Sequence, residues 1–136
     1  MRFDDLPTIV TMGEPSGIGG EITLKAWLNG HHKLSPFCII DSPARLTSIR
    51  DSLELNISIT EISDVKETAV VFENSLPVLP LSLPDQSIPG KLNIVNNSAV
   101  ISSIEQAVNL AQTGQAKAIV TNPVHKNTLH QTGFPH

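Results

Sequence analysis

The stretch TMGEPSGIGGE, residues 11–21, decides how this chain is read. It follows the apolar run Thr8-Ile9-Val10 and leads into ITLKAWL, residues 22–28, which suits a helix. A strand, a glycine-rich turn and a helix start in that order build an anion site. The small residues let a ligand approach the backbone, and the unpaired N–H groups of the first helical turn point at it. The spacing excludes the two common versions. A phosphate-cradling P-loop needs a Gly-Lys-Ser/Thr ending, and the first lysine of the chain is Lys25. A dinucleotide loop needs G-x-G-x-x-G, and Gly17-Ile18-Gly19-Gly20 brings its third glycine too early.

Around this loop the chain alternates short apolar runs with amphipathic ones. Residues 7–12 read as a first strand, buried on both faces, and residues 18–29 as a helix stopped by Gly30. Residues 37–40 are a second buried strand ending at Asp41. Ser42-Pro43 then opens a helix, with the serine as N-cap and the proline at the first helical position. Leu55, Ile57 and Ile59 alternate with polar residues and predict a third strand. Residues 69–72 read as a short strand or a loop. The segment LPVLPLSLP, residues 76–84, carries three prolines. Proline donates nothing to a ladder, so an edge strand or an extended segment is expected there. Asn97 or Ser98 caps the clearest helix, with a stripe of Val100, Ile101, Ile104, Ala107, Val108 and Ala111, and Gly114 closes it. Residues 118–121 are a further buried strand, and Asn122-Pro123 begins a last helix that runs to about Thr132. The alternation predicts an α/β fold with a largely parallel sheet.

The chain has 136 residues, 40% apolar and 16% charged, with a net charge of −4. That composition suits one folded domain and argues against a non-specific nucleic-acid binder, which would carry a basic face. No run approaches a membrane span, and the start MRFDDLPTIV lacks the apolar core of a signal peptide. The single cysteine, Cys38, has no internal partner, and a cytoplasmic location is expected. Phe134-Pro135-His136 follows a helix end with no further strand, so a piece of a longer protein is expected.

Ligands of an open parallel sheet bind beyond the carboxyl ends of its strands. Both the glycine loop and VTNPVHK, residues 120–126, are expected to emerge there. Glu14 either orients the loop, contacts a ligand hydroxyl or accepts backbone N–H groups. Ser16 hydrogen-bonds an anion or, in the reading favoured locally, caps the helix. Gly17 allows close backbone approach. Lys126 falls in the first turn of a helix, where a cation opposes the dipole unless an anion is near; it is a substrate or phosphate contact or a solvated lysine. Asp41 only loosely imitates the ribose-binding acid of a dinucleotide fold, and a loop or turn role is favoured. His125 and His130 diverge on a helix, His31 and His32 are adjacent, and no zinc spacing is present. His125 remains a candidate hydrogen bonder. Cys38 reads as core.

The ordered pair, TMGEPSGIGGE and then VTNPVHKNTLHQTGFPH, resembles the 4-hydroxythreonine-4-phosphate dehydrogenase family of pyridoxal phosphate biosynthesis. The resemblance spans the whole chain. Family members usually have Ala where Ser16 stands, Pro where Gly20 stands and often Gly or Ala where Asn122 stands. The resemblance implies two α/β domains of the isocitrate and isopropylmalate dehydrogenase type in a homodimer, with the site in the cleft between domains. It implies NAD (or NADP) oxidising the secondary alcohol of 4-phosphohydroxy-L-threonine, followed by decarboxylation. A divalent metal such as Zn, Mg or Co is then bound by residues beyond this chain. It places Glu14, Ser16, Gly17, Asn122, His125 and Lys126 at the cleft and assigns no catalytic residue here, so residues 1–136 alone are expected to be inactive. The alternatives are a paralogue acting on a phosphorylated four-carbon sugar acid or a dihydrodiol carboxylate, an acyl-phosphate transferase of related fold, and a non-catalytic binding domain.

Overall fold

The computed structural model describes residues 3–84 and 86–124. Five strands form one wholly parallel sheet: β1 (Thr8–Val10), β2 (Phe37–Asp41), β3 (Ile59–Glu61), β4 (Leu76–Pro80) and β5 (Ala118–Val120), in the order β3-β4-β2-β1-β5. The helices are α1 (Gly19–Gly30), α2 (Pro43–Ser52), α3 (Thr68–Phe72) and α4 (Asn97–Gln112). Among the described residues no helix is long and apolar enough to cross a membrane.

The pleat sends successive side chains to opposite faces, and each face is covered. Val10, Phe37, Ile39 and Val78 pack against Leu24 and Trp27 of α1 and Leu46 of α2. Ile9, Cys38 and Ile40 pack on the other side with Ile62, Val65 and Ala107 of α4. The α/β reading with a parallel sheet and flanking helices therefore holds. Ser42 caps α2 as its side chain accepts from Arg45 N–H at 3.2 Å, and Gly114, at φ +77°, closes α4.

Several local expectations are corrected. Gly30 lies inside α1 and the helix ends through His31, whose Nδ1 is 2.9 Å from the Trp27 carbonyl and whose ring stacks on Trp27 at 4.0 Å. The third strand is shifted to Ile59–Glu61, because Ile57 turns into the core before the ladder begins. Residues 69–72 belong to a helix that runs on directly from a single turn, Val65–Glu67, itself held by the Asp64–Glu67 capping box. The α4 stripe is rotated. Ala99, Val100, Ser103 and Ala107 are its buried side and Val108 is exposed.

The largest correction concerns β4, which lies between β3 and β2 and not at an edge. Leu76 N–H donates to Ser58 and Ile62 N–H to the Val78 carbonyl, so even-numbered residues face β3; Leu81 N–H donates to Asp41, so odd-numbered ones face β2. Pro77 thus points at β2 just before the first paired residues, Ile39 and Val78. Pro80 points at β3 just past its last pair, Glu61 and Val78. Each missing N–H falls where the neighbouring ladder begins or ends, so proline costs no ladder bond there. Conversely, among the described residues β5 is an edge strand, not a buried one, and Val120 is exposed. Beside it an apolar groove of about 410 Å³ runs over Val10, Ile22, Phe37 and Val120. The helix expected after Pro123 lies outside the described residues.

Candidate functional site

Because β1 and β5 are neighbours, the segments that follow them leave the same edge of the sheet. Thr11 N–H donates to the Val120 carbonyl at 3.0 Å, and Glu14 N–H to the Pro123 carbonyl at 2.7 Å. Asn122 is buried between the two segments; its Nδ2 donates to the Thr11 carbonyl at 2.9 Å and to Thr23 Oγ1 of α1 at 3.1 Å. Two of the loop's glycines exist for this junction. A Cβ on Gly13, at φ +68°, would stand 2.7 Å from both Asn122 Cβ and the Pro123 carbonyl oxygen. One on Gly19 would stand 2.9 Å from Asn122 Cβ. The glycines thus serve chain-to-chain approach here, a use that the anion-site pattern did not indicate.

Of the predicted site residues, Glu14, Ser16 and Gly17 bond to one another within the loop, and Asn122 meets that loop at Thr11, Gly13 and Gly19; His125 and Lys126 lie outside the described residues. Glu14 is turned into its own loop, where Oε1 accepts from Ser16 N–H at 3.2 Å and Ser16 Oγ at 2.9 Å. Of the roles open to Glu14, the structure displays the backbone-accepting one. Ser16 does not cap α1. The N-cap is Ile18, which has no side-chain cap, because the turn closed by Gly17 N–H on the Glu14 carbonyl delays the helix to Gly19. Gly17 and Ile18 form the exposed tip of the loop, and Gly90 N–H reaches the Ser16 carbonyl at 2.8 Å from residues 86–91.

Asp41 is neither a turn residue nor a ribose contact. It is fully buried, accepts from Ser42 N–H at 2.6 Å, and pairs with Arg45 Nη1 at 2.6 Å. Arg45 also donates from Nε to the Pro15 carbonyl of the glycine loop at 2.8 Å. Its guanidinium rests over Gly20, where any Cβ would stand 2.6 Å from Ile49 Cδ1 and 3.2 Å from Nη1. A signal for Arg45 was present in the sequence: a cation in the first turn of α2 opposes the helix dipole and so implies a nearby anion, and Asp41 stands four residues before it. A second unanticipated residue is Ser103 of α4, whose buried Oγ accepts from Met12 N–H at 3.0 Å and donates to the Ile40 carbonyl at 3.3 Å. It ties α4 to the ends of β1 and β2.

Burial pushes the Asp41 carboxyl up to about 6, against the pull of Arg45 and Ser42 N–H. Between its ordinary value of 3.8 and about 6 the folded chain keeps a proton that the unfolded chain has released. This group's contribution is therefore complete at the acid end of that window and is lost as the pH rises through it. Urea unfolding of wild type and Asp41→Asn from about pH 4 to about pH 7 is expected to show that falling component in wild type alone. Burial likewise raises the Cys38 thiol to about 11, so it is a core residue and not a nucleophile. Among the described residues no group of three His, Cys, Asp or Glu side chains converges to hold a metal ion.

Residues 33–136 match the family model of the pyridoxal phosphate biosynthetic protein PdxA. The chain is 40% identical to the 4-hydroxythreonine-4-phosphate dehydrogenase of Methylorubrum extorquens (strain PA1), over all of this chain and 40% of that protein. It is 36% identical to the enzyme of that name from Zymomonas mobilis, over 94% of this chain and 37% of that protein. The crystal structure of a 4-hydroxythreonine-4-phosphate dehydrogenase from Burkholderia phymatum superposes with a TM-score of 0.85 at 29% identity, covering 96% of this chain and 41% of that one. The chain thus spans about two fifths of the length of the curated relatives it matches. By the family match over residues 33–136 and the relatives matched over nearly the whole chain, the chain belongs to the PdxA family.

Proposed function

We propose that residues 1–136 are the amino-terminal part of a dehydrogenase that oxidises 4-phosphohydroxy-L-threonine with NAD (or NADP) and releases carbon dioxide, supplying pyridoxal phosphate biosynthesis in the cytoplasm. The observation that carries this reading is the junction of the glycine loop with Asn122 and Pro123 at the carboxyl edge of the sheet, in a chain 40% identical to a protein of that name. That edge is where ligands of parallel sheets bind. The uncapped start of α1, just after the exposed tip at Gly17 and Ile18, offers backbone N–H groups to an anionic ligand. In this reading the loop, with Asn122, His125 and Lys126, forms one wall of an interdomain cleft in a homodimer of the isocitrate and isopropylmalate dehydrogenase type.

The described residues form no metal site, and in this reading the divalent metal of the reaction is held by residues later in the full-length protein. When bound it supplies Lewis-acid polarisation of the alcohol. The contribution of residues 1–136 is placement: the sheet edge fixes the loop, Asn122 fixes its approach, and Glu14 spans its base.

The protein extended to the relatives' length is expected to reduce NAD in the presence of 4-phosphohydroxy-L-threonine and a divalent cation, and residues 1–136 alone are expected not to. No turnover by the extended protein, or turnover by the short chain, would overturn this reading. Gly17→Val tests the loop separately. Its φ is not in the left-handed region, and a Cβ meets nothing nearer than the Glu14 carbonyl oxygen at 3.3 Å. Stability is expected to change by no more than about 1 kcal/mol. A branched side chain at the tip of the cleft is expected to lower kcat/KM about 100-fold.

A further inference from the structure

A buried ion pair joins the glycine loop to a helix that the proposed cleft does not include. The Asp41 and Arg45 side chains are 0% and 2% exposed. Arg45 divides its planar fork between two rigid targets far apart in the sequence. Nη1 holds Asp41 at the end of β2, and Nε holds the Pro15 carbonyl in the middle of the loop. Gly20 keeps the first turn of α1 bare where the guanidinium lies, and Ser42 N–H fixes the Asp41 carboxylate from the other side. A buried pair of this kind adds little net stability over well-packed apolar side chains of the same size. Its directional bonds do what apolar packing cannot, since they fix the position of one particular carbonyl group.

We infer that Arg45 is a positioning residue: braced by Asp41, it sets the place of the Glu14–Gly17 turn at the carboxyl edge of the sheet by holding the Pro15 carbonyl. The significance of that place for catalysis rests on the function proposed above; the bracing itself does not. Every backbone N–H donor of the turn is a reporter, since Glu14, Ser16 and Gly17 all donate within the loop or to Pro123.

The test is amide hydrogen exchange on the chain, with the Glu14, Ser16 and Gly17 amides referred to those of Ile39 and Ile40 in β2. Asp41→Asn with Arg45→Met removes both charges together, so global stability is expected to stay within about tenfold of wild type in the unfolding constant. Arg45→Lys keeps the charge without the fork and covers the case in which the double variant fails to fold. In either folded variant the loop amides are expected to exchange roughly tenfold faster relative to the β2 amides. An unchanged ratio in a folded variant overturns the inference and leaves Arg45 a packing residue.

A kinetic measurement on the protein extended to the relatives' length separates the two readings. A freed loop with raised KM and little change in kcat supports both. A freed loop with unaltered kinetics keeps the brace and removes the loop from the ligand cleft.

Discussion

Arg45→Met alone is expected to destabilise the chain by about 3–5 kcal/mol near neutral pH, because Asp41 is left either ionised without its counter-charge or forced to take up a proton. Ser42 N–H remains to it, but one hydrogen bond does not offset the desolvation of an ion. The cost has a pH signature. Burial already holds the Asp41 carboxyl at about 6 with Arg45 present, so without Arg45 it moves higher still. A protonated Asp41 carries no uncompensated charge, and the deficit is therefore expected to shrink as the pH falls toward about 5. Urea midpoints for wild type and variant at the two pH values check this. A deficit that is the same at both would show that lost packing, not the stranded charge, is the cause. Against a typical domain stability of about 5–15 kcal/mol, the loss takes the variant close to unfolding.

Gly13→Ala is expected to cost about 2–5 kcal/mol, from two sources that act together. The left-handed backbone disfavours any L side chain by about 1–2 kcal/mol. The added methyl also enters a packed junction, at 2.7 Å from Asn122 Cβ and from the Pro123 carbonyl oxygen, and overpacking of that kind costs about 1–3 kcal/mol. Gly90 and Gly114 are the controls. Both have positive φ, at +79° and +77°, and neither has any atom within 4 Å of a built Cβ. Alanine there is expected to show the backbone cost alone, so the difference measured by urea unfolding isolates the collision with the Asn122 segment. Equal losses at all three positions would remove the junction as an explanation.

Much of the fold was legible in local chemistry. Ser42-Pro43 announces α2 because an N-cap and a ring-fixed φ act over four residues. Gly114 ends α4 because the left-handed turn is a local requirement. Cys38 reads as core from its apolar neighbours alone. The misreadings share a different cause. Residues 69–72 became helix as the continuation of a capped turn upstream, Val65–Glu67, and not from their own preference. Pro77 and Pro80 sit in an inner strand because the lengths of β2 and β3, not β4 itself, decide which N–H groups the ladder needs.

At the site, the glycine loop and Asn122 were both identifiable as unusual stretches, and the alternation of strands and helices assigned them to one edge of a parallel sheet. That much follows from periodicity, glycine content and chain direction, which are properties of short windows. Their purpose did not follow. Gly13 and Gly19 are needed because Asn122, more than a hundred residues later, comes within 3 Å of where a Cβ would be. Ser16 gave up its cap to Glu14, and Asp41 found its partner in Arg45, which also reaches Pro15. Which residues lie along the sheet edge was therefore written in the order of the amino acids. Which of them touch was settled only by tertiary packing, because strand order brings β1 and β5 side by side and a buried charge or a bare backbone acquires its role from whatever that packing sets against it.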